Sequence, residues 1–187
     1  MLNPRLASRY AKSLLDLAIE QNSLEETLKD MQLLDAICTQ SRDFIMMMRS
    51  PVIKADKKLL ITEAVLQGRV SALTIAFIRL LINKGREQNL DEIARAFITQ
   101  YRTNKKIRMV KLTSAVAIDP AVVDILRSKL QAGYPGTSIE METAVDPAIL
   151  GGFVLDMGDR QLDASILRDL HDIKKQFTRN LYVSQLN

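Results

Sequence analysis

One cysteine, one histidine and a short series of aspartates are the side chains of this 187-residue chain best suited to covalent or metal-assisted chemistry. A thiolate nucleophile needs an imidazole within hydrogen-bond reach to take its proton. Cys38 and His171 stand 133 positions apart, with no local pattern that marks a nucleophile, so both are expected to be ordinary structural or surface residues. A single cysteine also leaves no internal disulfide and no cysteine cluster for zinc. Asp156, Asp159 and Asp163 suggest a cation site, but their separations miss the calcium-loop pattern of alternating oxygen ligands closed by a glutamate. Asp159 fits a turn and Asp163 a helix cap. Gly151-Gly152 suggests a phosphate loop, yet no Lys and Ser or Thr follow at a helix start, and an apolar β-rich run does. The pair reads as a turn or bulge that needs unusual backbone angles. The expectation is a chain with no catalytic, metal-binding or cofactor-binding residues.

The net charge of +4 and isoelectric point near 9.2 raise a second possibility, a basic nucleic-acid-binding adaptor. Residues 1–105 carry 16 Lys and Arg against 12 Asp and Glu, and the remainder carries 10 against 10. The excess is thus mild and interspersed with acids. Lys57-Lys58, Lys105-Lys106 and Lys174-Lys175 are only pairs, and no aromatic-basic stripe offers stacking for bases. Solvated helix faces explain these charges better. The methionine run Met46 to Met48 suits either an adaptable partner surface or core filling, and core filling is the simpler account.

The elements that must position these residues follow from periodicity. Hydrophobic residues are 47% of the chain and aromatics 5%, a mix rich in Ala, Leu, Ile and Met that favours helices. Leu6, Tyr10, Leu14 and Leu17 form a stripe on a helix over 4–21, with Pro4 suited to its first turn. Ser23 and Glu26 form a capping box for a second helix carrying Leu24, Leu28, Met31, Leu34 and Cys38. A short segment over 41–49 ends at Ser50-Pro51. Further helices are expected over 54–66, over 71–83 with Gly85 as left-handed cap, and through Leu90, Ile93, Phe97 and Tyr101 with Asn89 as cap. The 71–83 helix is apolar nearly all round, which places it at the centre of a bundle. Near 103–107 the pattern changes to strands at 109–114, 139–145, 153–157 and 161–162. A helix starting at Asp119-Pro120 and a turn at Gly133-Tyr134-Pro135-Gly136 lie between the first two, and Gly158-Asp159 joins the last two. Ile166, Leu170, Ile173, Phe177 and Leu181 then stripe a C-terminal helix. The fold class is mainly α with a smaller α/β part: a bundle of five or six helices over 1–104, then a small domain of sheet plus helices over 105–187.

No apolar run reaches the ~20 residues needed to span a bilayer. The N-terminus lacks a secretory cleavage pattern. A mature protein kept in a cytoplasm-like compartment is expected.

Several stretches together carry a resemblance. Arg9-Tyr10-Ala11-Lys12-Ser13-Leu14-Leu15-Asp16-Leu17-Ala18 resembles the opening helix of the delta subunit of rotary F-type ATP synthases, the family of the mitochondrial oligomycin-sensitivity-conferring protein. Ser50-Pro51, Phe77-Ile78-Arg79-Leu80-Leu81-Ile82-Asn83 and Gly85-Arg86 are similar to that family at corresponding places. The most specific match runs from Asp146-Pro147-Ala148-Ile149-Leu150-Gly151-Gly152-Phe153-Val154-Leu155 through Gly158-Asp159 to Asp163-Ala164-Ser165-Ile166.

The resemblance implies a non-catalytic stator subunit of the peripheral stalk, bound to alpha and beta subunits of the catalytic head and to the b subunits. It implies a location at the cytoplasmic face of a bacterial inner membrane, with no membrane insertion of its own and no nucleic acid. It implies a groove for an alpha-subunit N-terminal helix lined by Tyr10, Ser13, Leu14, Leu17, Phe77, Leu80 and Leu81. Ser13 stands where the family often has Ala. Gly151, Gly152, Asp163 and Ser165 form its structural motif, and Ile166, Leu170 and Ile173 are candidate stalk contacts.

Overall fold

A computed structural model describes residues 4–134, 136–158 and 160–178. Its elements run α1 (Pro4–Glu20), α2 (Leu24–Gln40), α3 (Arg42–Arg49), α4 (Ala55–Leu66), α5 (Ala72–Asn83), a 3-10 turn (Glu87–Asn89) and α6 (Leu90–Asn104). There follow β1 (Ile107–Ser114), α7 (Pro120–Gly133), β2 (Ser138–Val145), a 3-10 turn (Pro147–Ile149), β3 (Gly152–Asp156), β4 (Gln161–Ser165) and α8 (Ile166–Thr178). The chain splits into two compact units, Met1–Asn104 and Lys105–Asn187. It is mainly α with a smaller α/β part.

In the helical unit, α6 is the element around which α1 and α2 pack. Ala7, Ala11, Leu14, Leu15 and Ala18 form the buried face of α1, and Ile93, Ala94, Phe97 and Tyr101 that of α6. Alanine at three of the five α1 positions brings the two backbones close. Fully buried Leu14, Leu34, Leu81, Ile93 and Phe97 each contribute about 1.5–3 kcal/mol of apolar transfer. Cys38 is buried in this packing, and Met48 with it, whereas Met46 is 58% exposed. The methionine run therefore fills core at only one end.

Three expectations for this unit need correction. The α5 helix is not central, because only Thr74, Ile78, Leu81 and Ile82 are buried and Leu80 is 45% exposed. Continuous hydrophobicity predicts burial on all sides only if the bundle has enough helices to surround it, and this one does not. The capping box also fails. Ser23 has φ −109° and ψ 20°, not the extended geometry that aims a capping hydroxyl, and its carbonyl accepts both the N–H and the hydroxyl of Thr27 at 2.9 Å. Asn89 lies inside the 3-10 turn, and its side-chain amide donates to Glu92. Other stop signals read correctly: Ser50 ends α3, and Gly85 at φ +64° ends α5.

The second unit is a four-stranded sheet in the order β2-β1-β3-β4. β1 and β2 are parallel, linked through α7, while β1–β3 and β3–β4 are antiparallel. Asp119 caps α7 by accepting the Ala121 N–H at 2.9 Å, with Pro120 in the first turn. Val123, Leu126 and Leu130 of α7 pack on Val110, Leu112, Ile139 and Leu155 of the sheet. The alternation in β2 is only half used, because Ile139 is buried while Thr143 and Val145 are exposed at this edge strand. The Met157 N–H donates to Arg160 at 2.8 Å across the β3–β4 turn, with Gly158 at φ +82°. Asp159, Pro135 and Leu181 fall outside the described residues.

Candidate partner-binding surfaces

Burying the alanine face of α1 turns the rest of its apolar stripe outward. Leu6 and Tyr10 are half-buried, Ser13 is exposed and Leu17 is 39% exposed. The Ser13 hydroxyl donates to the Arg9 carbonyl at 3.0 Å, so its polarity is spent within the helix and its small side chain leaves room. Leu14, by contrast, points into the core at 1% exposure.

The position of α5 is set at its N-terminus. Ser71 caps the helix by accepting the Thr74 N–H, and the Asp30 carboxylate on α2 receives the Ser71 N–H, the Ser71 hydroxyl and the Thr74 hydroxyl at 2.9, 2.6 and 2.7 Å. Hydrogen bonds to a charged acceptor are the strong ones, so this buried carboxylate fixes where α5 starts. Its outer face is then Ala72, Ala76 and Leu80, flanked by half-buried Leu73 and Phe77. Leu81 is wholly buried. Of the seven residues implied for the groove, Tyr10, Ser13, Leu17, Phe77 and Leu80 therefore retain surface, and Leu14 and Leu81 lie beneath them as core. α1 and α5 both pack on α2.

A second buried charge was not visible in the sequence. Lys58 reads as one of a surface pair, yet it is 3% exposed and its ammonium donates to the Met48 carbonyl at 2.8 Å and to Glu87 at 2.6 Å. The bond to Met48 closes the C-terminal end of α3, where a cation also suits the helix dipole. Only its place on the buried side of α4, four residues before buried Thr62, hints at this, and a lysine there gives no sequence signal.

In the α/β unit, the motif glycines have different jobs. Gly152 has φ +75° and pairs with Ser165 across β3–β4, so a Cβ there would overlap the Ala164 carbonyl oxygen. Gly151 has no such angle, but a Cβ on it would come 2.5 Å from Ile166 Cδ1. The expected unusual backbone angle occurs at Gly152, within the paired strand β3, while Gly151 is a packing contact. Asp163 does not cap α8. Its carboxylate accepts the Ser165 N–H at 2.9 Å, and Ser165 itself caps by accepting the Arg168 N–H at 3.2 Å. Hydrogen bonds from Ser165 hold the Asp163 carboxyl below its ordinary value. Asp156 is likewise occupied locally, accepting the Gly158 N–H at 2.8 Å.

Ile166, Leu170, Ile173 and Phe177 lie along one side of α8 and are 48, 50, 48 and 86% exposed. The helix meets the rest of its unit at β4 and at the Pro147–Ile149 turn, so its apolar stripe is largely unburied.

Burial pushes the Cys38 thiol up to about 11, which keeps it protonated, and His171 is exposed on α8. Among the described residues, no group of three His, Cys, Asp or Glu is placed to hold a metal ion, and no helix is long and apolar enough to cross a membrane.

Comparison with known proteins gives a consistent answer. The family model described as ATP synthase delta (OSCP) subunit matches residues 6–177. ATP synthase subunit delta of Cytophaga hutchinsonii is 35% identical over 183 residues, covering 97% of this chain and 98% of that protein. The Christiangramia forsetii protein of the same name is 34% identical, covering all of both chains, and the chloroplastic one of Ochrosphaera neapolitana is 31% identical, covering 90% and 94%. Among solved structures, a chain of the Toxoplasma gondii mitochondrial ATP synthase hexamer superposes with a TM-score of 0.70 at 22% identity, covering 92% of this chain and 97% of that one. That likeness supports the fold.

Proposed function

Starting from a chain that belongs to the ATP synthase delta (OSCP) subunit family, we propose that it is a non-catalytic stator subunit joining the catalytic head of a rotary F-type synthase to its b-subunit peripheral stalk. Rotation of a central stalk exerts torque on the head, and proton-driven synthesis requires that the head be held. The helical unit takes the amphipathic N-terminal helix of an alpha subunit, with the beta subunit as a further neighbour. The α/β unit meets the b subunits through α8. The protein works peripherally at the cytoplasmic face of a bacterial inner membrane, held there by protein partners.

The observation that carries this reading is the unspent apolar surface on α5. A helix with Leu80 45% exposed and Leu73 and Phe77 partly buried beside it, fixed at its start by a buried carboxylate, is a rigid ledge for another helix. Helix-in-groove recognition uses anchors at such three- and four-residue spacing. Tyr10 and Leu17 on α1 supply the second wall in this proposal, with Ser13 as the low point between them. The interface needs no reactive group.

Calorimetric titration of the full chain with a synthetic peptide of the alpha-subunit N-terminus tests the reading. Leu80→Asp is expected to weaken binding roughly tenfold or more, as removal of a central anchor does, with an unchanged circular dichroism spectrum. Unchanged affinity would remove α5 from the interface.

A further inference from the structure

The parallel strands β1 and β2 end together, with Ser114 opposite Val145, and each runs on into the same three residues. Asp119-Pro120-Ala121 follows β1 and Asp146-Pro147-Ala148 follows β2. In both, the aspartate Oδ1 accepts the alanine N–H, at 2.9 and 3.0 Å. Each carboxylate thus uses one oxygen on its own turn. Both residues are exposed, so further acceptor capacity is left at the surface.

Three valines accompany these turns. Val116, Val122 and Val145 are 72, 45 and 56% exposed, and buried Ser114 ties their segments together. Its hydroxyl donates to the Val116 carbonyl at 2.6 Å, and its carbonyl accepts the Asp146 N–H at 2.8 Å. Positions paired across parallel strands face the same side of a sheet and alternate along each strand. Val145 therefore faces the side on which Val110 and Leu112 pack under α7. Only residues 115–119 separate β1 from α7, so α7 begins at this same end of the sheet, with Val122 in its first turn. A lone exposed valine is ordinary. Three held at one end of a sheet, beside two carboxylates, are a surface suited to a partner.

The charge of that surface says what kind. Residues 112–126 and 143–156 contain no Lys or Arg, although the chain carries 26 of them and a net charge of +4. Asp124 is met by Arg127 at 3.5 Å, whereas Asp119 and Asp146 have no cation paired with them among the described residues. We propose that this end of the sheet is a docking surface for a basic, apolar segment of a protein partner. Apolar side chains of that segment cover the valines, and its Lys or Arg meet Asp119 and Asp146. Rim charges of this kind govern association rate and choice of partner, while buried apolar anchors supply the strength. The valines are stiff, and the turns are closed by their own aspartates, so the surface is formed before binding and adds little ordering cost. The inference does not depend on the reading of α8.

Two synthetic peptides with identical apolar residues, one carrying lysine and the other glutamate at every charged position, test this by amide NMR of the full chain. The lysine peptide is expected to shift the signals of Val116, Val122 and Val145, and the glutamate peptide to leave them in place. A chain of net +4 repels a cationic peptide in general, so binding at this end reports local complementarity. Asp119→Asn with Asp146→Asn keeps oxygens able to cap and removes both charges. Affinity for the lysine peptide should fall roughly fivefold or more in that variant, with Tm unchanged. Val116→Thr with Val145→Thr, which keeps side-chain shape, should weaken binding with the carboxylates intact. Absence of binding, equal binding of the two peptides, shifts centred on another surface, or unaltered affinity in either double variant would overturn the proposal. So would shifts of the same signals that grow with the chain's own concentration in the absence of peptide, which would assign the surface to a second copy of this chain.

Discussion

Replacing Gly152 by alanine should unfold or severely weaken the α/β unit, and the glycines around it separate the causes. At Gly158 an alanine meets nothing within 4 Å but must adopt φ +82°, so it incurs the conformational term alone, about 1–2 kcal/mol. At Gly151 the φ is not in the left-handed region, and the obstacle is the far end of the half-exposed Ile166 side chain, which can rotate away, so about 1 kcal/mol or less is expected. At Gly152 both terms apply. The angle is +75°, and the new methyl overlaps the Ala164 carbonyl oxygen and lies 3.1 Å from its carbon, both backbone atoms of the paired strand. Relief requires β3 and β4 to part near Gly152↔Ser165, giving up hydrogen bonds at about 1 kcal/mol each. The total is roughly 3–5 kcal/mol, in the range where single substitutions are diagnostic of one mechanism. Urea unfolding of the full chain, read by amide exchange in β1 and β3 separately from α6, measures it. The order Gly152→Ala, then Gly158→Ala, then Gly151→Ala is expected, with α6 protection unchanged. Equal effects at Gly152 and Gly158 would refute the claim that close approach of β4 dictates this glycine.

Two further outcomes test buried groups in the helical unit. Lys58→Met leaves Glu87 charged without its partner, so the urea midpoint should fall by an amount equivalent to about 3–5 kcal/mol, and adding Glu87→Leu should recover part of it; a neutral single variant would show that the pair is not structural. Cys38, with its thiol pushed up to about 11 from an ordinary 9.0, should resist alkylation at pH 8 in the native protein and react on unfolding. The stability linked to that raised value is full below pH 9 and is lost as pH rises toward 11, because the unfolded thiol ionises first; stability independent of pH across that window would contradict the burial.

The Asp146-to-Ile166 segment was the most legible part of the chain, because Gly152 and Gly158 answer local backbone demands, although Gly151 answers a packing contact with Ile166 instead. Helix periodicity and stop signals such as Ser50-Pro51 and Gly85 read correctly for the same reason. Capping was read less well. Ser23 and Asn89 carry the right side chains, but whether a hydroxyl or amide reaches its N–H depends on backbone angles that neighbouring helices impose. Asp163 reads as the cap of α8, and Ser165 fills that place on the same ground.

Sequence by itself determined the succession of helices, the change to strands after residue 104, and the family that the chain belongs to, since each rests on patterns within a few residues of one another. Which apolar residues remain exposed was decided only by tertiary structure. Leu14 and Leu17, or Leu80 and Leu81, are chemically alike and adjacent on one helix, yet one of each pair is core and the other surface. A helix rotated by one residue turns about 100°, and only the packing of α1 on α6, and of α5 behind the Asp30 carboxylate, fixes that rotation. The same holds for Lys58, whose burial depends on a carbonyl and a carboxylate that sequence order keeps 10 and 29 residues away.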